Sequence, residues 1–101
     1  MIRNLNLVFE NCKFNINSDS ITKIINLNRA TFIGDIIFEN CIFTNNTSNS
    51  INLISFGNIS NEQLIIKLIN CKTNGDFAIA DSNIGGTFIK DGEEIDGTLK
   101  L

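Results

Sequence analysis

Three Asn-Cys pairs, Asn11-Cys12, Asn40-Cys41 and Asn70-Cys71, punctuate the chain at intervals of 29 and 30 residues. The residues in front of them align. Leu7-Val8-Phe9-Glu10-Asn11-Cys12-Lys13-Phe14 lies over Ile36-Ile37-Phe38-Glu39-Asn40-Cys41-Ile42-Phe43. Ile66-Lys67-Leu68-Ile69-Asn70-Cys71-Lys72-Thr73 is a weaker third copy. A second block, Ser20-Ile21-Thr22-Lys23-Ile24 over Ser50-Ile51-Asn52-Leu53-Ile54, repeats with an offset of 30. Two independent blocks sharing one period are the mark of an array of similar units.

The content of each unit is strand-like. Of 101 residues, 19 are Ile, which prefers strands, and 17 are Asn, which suits turns and left-handed backbone. Apolar residues alternate along Leu5, Leu7 and Phe9, and polar clusters such as Asn15 to Ser20 and Asn45 to Ser50 separate the runs. No helical period is sustained; at most one helical turn fits around Ser60 to Leu64. These features predict an all-β chain forming a single-stranded parallel β-solenoid of about three coils of ~30 residues with a C-terminal cap. The expected organisation is one domain over 1–101, with repeats at about 5–33, 34–63 and 64–88 and a cap at 89–101. In such a stack Phe9, Phe38 and Leu68 form an interior apolar ladder. Asn11, Asn40 and Asn70 take the bends and bond the backbone of the next coil, and Cys12, Cys41 and Cys71 turn inward as reduced, inert thiols.

The Phe-Glu-Asn-Cys-x-Phe units at 9–14 and 38–43, followed by Thr44-Asn45-Asn46-Thr47, resemble the degenerate repeats of right-handed parallel β-helix proteins. That resemblance covers most of residues 5–88. It implies a stacked asparagine ladder at Asn11, Asn40 and Asn70 and carries no catalytic motif. Segments also resemble pentapeptide-repeat proteins. Phe9 and Phe14 are five apart with Cys12 in the small-residue slot, Phe38 and Phe43 repeat this with Cys41, and Leu27 to Phe32 uses Ala30. The six-residue step from Phe32 to Phe38 breaks that phase.

Chemistry is sparse. With no His, the commonest general base and metal ligand is missing and a Ser-His-Asp nucleophile is excluded. Three Cys about 30 residues apart lack the close pairing of a zinc site, and their odd number disfavours a disulfide framework. Asp91, Glu93, Glu94 and Asp96 crowd into one segment, but without the alternating Asp pattern of a calcium loop. They read as a solvated hairpin, Thr87 to Lys90 turning back through Ile95 to Leu101. Glu10 and Glu39, one coil apart, must face solvent because stacked like charges repel. Gly85-Gly86-Thr87 lacks phosphate-loop spacing, and the glycosylation patterns at Asn45, Asn46 and Asn58 are the chance harvest of an Asn-rich chain.

The net charge of −3, without a basic patch, argues against nucleic acid, and no apolar run is long enough for membrane insertion. Strand-like sequence follows Met1 almost at once with no signal-type apolar region, as in a native start or an excised piece. The expectation is not an enzyme: no catalytic residues, cofactor or metal, but a structural or interaction module, such as a β-helix segment of a surface, adhesin-like or phage-tail protein. Alternatives are a carbohydrate-binding β-helix fragment and a pentapeptide-repeat-type protein-binding module. The expected partner is another copy, joined through the uncapped edge at Leu5 to Phe9, with a glycan or another protein as further possibilities.

Overall fold

A computed structural model describes residues 2–27, 31–57, 64–84 and 86–101. Ala30, the glycosylation pattern starting at Asn58, the residues before Leu64 in the possible helical turn, and Gly85 lie outside these described residues; Leu64 itself opens a strand.

Among the described residues eleven strands follow one another: β1 (Ile2–Glu10), β2 (Lys13–Ile16), β3 (Lys23–Asn26), β4 (Thr31–Glu39), β5 (Ile42–Asn45), β6 (Ile51–Ser55), β7 (Leu64–Ile69), β8 (Lys72–Asn74), β9 (Phe77–Ala80), β10 (Thr87–Lys90) and β11 (Glu93–Ile95). They form three sheets, ordered β1-β4-β7-β10-β11, β2-β5-β8 and β3-β6-β9. All pairings between these strands are parallel except β10 with β11. The registers match the aligned sequence blocks: Phe9 faces Phe38, which faces Leu68, and Phe14 faces Phe43. A shared period of side chains thus translates into neighbouring strands that present like residues to one interior.

One parallel solenoid with a separate cap is nevertheless not what the chain forms. The strands make three distinct sheets, and the largest is mixed. The cause is local. Asp91 (φ 48°) and Gly92 (φ 86°) both take left-handed backbone between the paired residues Lys90 and Glu93. That is the two-residue Asp-Gly turn whose twist suits a hairpin. The chain reverses there, and β11 joins the sheet of β10 rather than lying across the end as a cap.

The core draws on all three sheets. Ile36, Phe38, Phe43, Ile51, Leu53, Ile54, Leu64, Ile66 and Phe77 are wholly buried. Rings organise its centre: Phe38 stacks on Phe9 at 5.0 Å and meets Phe14 and Phe43 edge-on at 6.0 and 5.4 Å. Phe14 in turn stacks on Phe43 at 5.0 Å. Gly34, opposite Leu5 in β1, has φ 137°, and a Cβ there would collide with the Leu5 carbonyl oxygen. Only glycine allows β1 and β4 to approach so closely at this point.

Candidate functional site

Asn11, Asn40 and Asn70 end strands β1, β4 and β7 with φ of 57°, 54° and 50°. Asparagine tolerates that conformation better than any other residue with a Cβ. Their backbones link successive strands: the Asn11 N–H donates to Glu39 O and the Asn40 N–H to Ile69 O, both at 2.9 Å. Asn70 Nδ2 donates to Asn40 Oδ1 at 2.7 Å. The link therefore joins two side chains instead of a side chain and the next backbone. Asp91 is a fourth left-handed residue in this row, which sequence reasoning read only as part of an acidic loop. The Asn70 N–H donates to Asp91 Oδ1 at 2.8 Å, and the Asp91 N–H reaches back to Leu68 O at 2.9 Å. Its register, one strand beyond Ile69, was the available signal.

The thiols follow the corner inward. Cys41 Sγ donates to Phe9 O at 3.2 Å and Cys71 Sγ to Phe38 O at 3.3 Å, each reaching the strand before its own; Cys12 Sγ donates to Glu10 O, two residues back, at 3.4 Å. All three are free. Only Cys41 is buried, however; Cys12 and Cys71 are half-buried, which corrects the expectation of three interior thiols. The strands flanking Cys41, β4 and β5, each have a neighbour on both sides, whereas β8, which follows Cys71, is a sheet edge.

Other polar residues singled out by sequence serve the scaffold. Asn45 Nδ2 donates to Asn49 O and Asp76 O, while its Oδ1 accepts from the Thr47 N–H and hydroxyl. The Asn45 to Ser50 loop thus spends its central amide on its own shape. Asp76 and Asp81, which sequence reasoning passed over, accept from the hydroxyls of Ser50 and Ser55 at 2.7 and 2.8 Å, and Asp81 also caps the Phe56 N–H. Asp96 accepts from the Thr98 hydroxyl, Asn83 Nδ2 and the Thr98 N–H. Those donors, the Thr98 hydroxyl first, hold its carboxyl below the ordinary 3.8. Glu10 is exposed and faces half-buried Glu39 across β1 and β4. A shallow cavity of about 380 Å³ lies between Lys90, Asp91, Glu93, Asp96 and Leu99 to Leu101. Among the described residues no group of three or more His, Cys, Asp or Glu side chains could hold a metal, and no helix is long and apolar enough to cross a membrane.

The two ends of the molecule differ sharply. At one end the C-terminal run lies along β9: the Leu101 N–H donates to Phe77 O at 2.8 Å, the Ala80 N–H to Gly97 O at 2.9 Å, and Lys100 bridges Ala78. Gly97 is buried so tightly against the Phe88 ring that a Cβ would lie 2.7 Å from it. At the other end β1, β2 and β3 are the outermost strands of all three sheets. Leu7, Phe9, Phe14 and Ile25 there are only partly buried, whereas their partners one strand in, Ile36, Phe38, Phe43 and Ile54, are wholly so. Three sheet edges and the half-open end of one core share this face. The chain matches no family model, no curated protein and no solved structure.

Proposed function

We propose that this protein is a non-catalytic interaction module whose working surface is the β1, β2 and β3 end, where it takes up strands of a protein partner. One observation carries this reading: β9 is bonded by the C-terminal run and β10 by β11, whereas on the edge strands β1, β2 and β3 the core residues Leu7, Phe9, Phe14 and Ile25 are only partly buried. An edge strand offers a row of backbone donors and acceptors, and adding a strand satisfies them while side-chain pockets set specificity. Leu5, Leu7 and Phe9 supply apolar contact beside that row. The sugar-binding reading has less support, because the Asn45 amide is committed internally and the chain has no Trp or Tyr to stack a ring.

Selection of a random peptide library against the folded protein tests this. Binders with alternating apolar residues should emerge, protect the β1 to β3 amides from hydrogen exchange, and lose at least tenfold in affinity to a Leu7→Lys variant. Peptides insensitive to Leu7→Lys, or a glycan that binds while no peptide does, would overturn the assignment.

A further inference from the structure

We infer that Asn74 is a site of spontaneous deamidation in the folded protein: the Gly75 nitrogen closes on the Asn74 side chain, and the isoaspartate that results releases the Asp76 anchor of the Asn45 to Ser50 loop.

Asparagine is thermolabile, and its surroundings decide which copy in a chain reacts first. Asn74-Gly75 is the one Asn-Gly step among 17 Asn. Glycine has no Cβ to screen its nitrogen from the side chain in front of it. The nearest rivals in sequence are Asn17-Ser18 and Asn49-Ser50, and both have their amides engaged. Asn17 Oδ1 accepts from Asn46 Nδ2 at 2.8 Å, and Asn49 Nδ2 donates to the Asp19 carbonyl. Asn74 is exposed, and its side chain has no hydrogen-bond partner among the described residues.

The attacking nitrogen is open as well. β8 is an outer strand of its sheet. The Lys72 N–H donates to Cys41 O, on the β5 side, at 3.0 Å. Successive residues of a strand alternate in hydrogen-bonding direction, so Gly75, three residues on, turns its N–H to the open edge. No acceptor takes it among the described residues. Glycine is also required there: Gly75 has φ 99°, and a Cβ would stand 2.6 Å from the Asn45 carbonyl oxygen. The close approach of β8 to the end of β5 thus fixes the residue that makes its neighbour reactive.

In the reaction, hydroxide takes the Gly75 proton and the nitrogen attacks Asn74 Cγ. The new N–Cγ bond replaces the Cγ–Nδ2 bond, water returns a proton to Nδ2, and ammonia leaves a five-membered imide. A second water opens the imide. Opening at the side-chain carbonyl gives Asp; opening at the backbone carbonyl gives isoaspartate, whose main chain is longer by one methylene. The effect falls on Asp76. Its carbonyl accepts from Asn45 Nδ2 and from the Ile51 N–H, each at 3.1 Å, and its carboxylate accepts from the Ser50 hydroxyl at 2.7 Å. A longer main chain just ahead of it shifts Asp76 off these partners.

Folded protein held for days at mildly alkaline pH, then digested and read by mass spectrometry, tests this. The Asn74 peptide should convert to Asp and isoaspartate at least tenfold faster than any other asparagine peptide, and faster as pH rises. Folding should slow the conversion less than tenfold relative to the chain in urea, because neither reacting group is held. Asn74→Gln should keep the circular dichroism of the fold and yield no acid from this peptide, since its longer side chain closes a six-membered ring. The isoaspartate form, isolated by anion exchange, should lose at least tenfold in hydrogen-exchange protection at Ile51, while the Asn40 amide, bonded to Ile69 O, is unchanged. Conversion spread evenly over the asparagines, slowing by folding of more than tenfold, or an isoaspartate form that keeps Ile51 protected would overturn the inference.

Discussion

The Asn70 N–H donates to the Asp91 carboxylate at 2.8 Å, so the row of corner asparagines ends on an acid. At the two preceding corners the same backbone N–H finds a carbonyl in the next strand, Glu39 for Asn11 and Ile69 for Asn40. Beyond β10 the chain turns back, and the Asp91 side chain supplies the acceptor instead. One residue thereby both starts the hairpin and closes the corner.

The left-handed corner at Asn40 is open to substitution. Asn40→Ala places an ordinary Cβ at φ 54° and removes the acceptor for Asn70 Nδ2. Urea denaturation should show a loss of about 1–3 kcal/mol. Asn40→Gly relieves the backbone term and should lose less. Equal losses would mean that backbone conformation plays no part.

Phe38 and Glu39 are neighbours in β4 with opposite surroundings. Phe38 is wholly buried among three rings, and Phe38→Ala should cost about 3–5 kcal/mol, a large share of a small domain's stability. Glu39 faces Glu10 on the outer side, and Glu39→Ala should stay within about 0.5 kcal/mol. Comparable losses in chemical denaturation would contradict the inside-outside assignment.

The thiols should react in two classes. Cys41, buried and bonded to Phe9 O, should resist a maleimide until the protein unfolds, while half-buried Cys12 and Cys71 should label faster. Peptide-level mass spectrometry resolves the three. Labelling of Cys41 at the rate of the other two would contradict the packing at the middle corner.

Asp96 should make the C-terminal closure acid-sensitive. Its carboxyl sits below 3.8 in the folded chain, so it favours the fold above that value and loses this contribution as pH falls below it. Melting temperature followed from pH 6 to pH 2.5 should drop on the acid side, and Asp96→Asn should drop less over the same interval. Parallel acid limbs for the two proteins would remove Asp96 from the account.

The all-β character and the stacking of Phe9, Phe38 and Leu68 were legible because like residues meet in parallel register, and a period in sequence is then a contact in space. The solenoid architecture was an over-extension of that period to the whole chain. Residues after Lys90 leave it, since Asp91-Gly92 reverses the strand instead of turning a corner. The closure at Gly97, Lys100 and Leu101 was illegible for a related reason: its contacts to Phe88, Ala78 and Phe77 occur once and leave no repeating mark. Asp76 and Asp81 were missed likewise, as their serine partners are 26 residues away.

The pairing pattern also constrains the order in which the molecule can assemble. Among the described residues every parallel strand pair joins residues at least 22 positions apart, the offset of Ile65 and Thr87, and β10 with β11 is the one strand pairing between adjacent stretches. Loop closure must therefore precede nearly every gain in contact, which places refolding in the millisecond-to-second range of chains ruled by distant pairings. β1, β2 and β3 find their parallel partners only in strands 29 residues further along the chain.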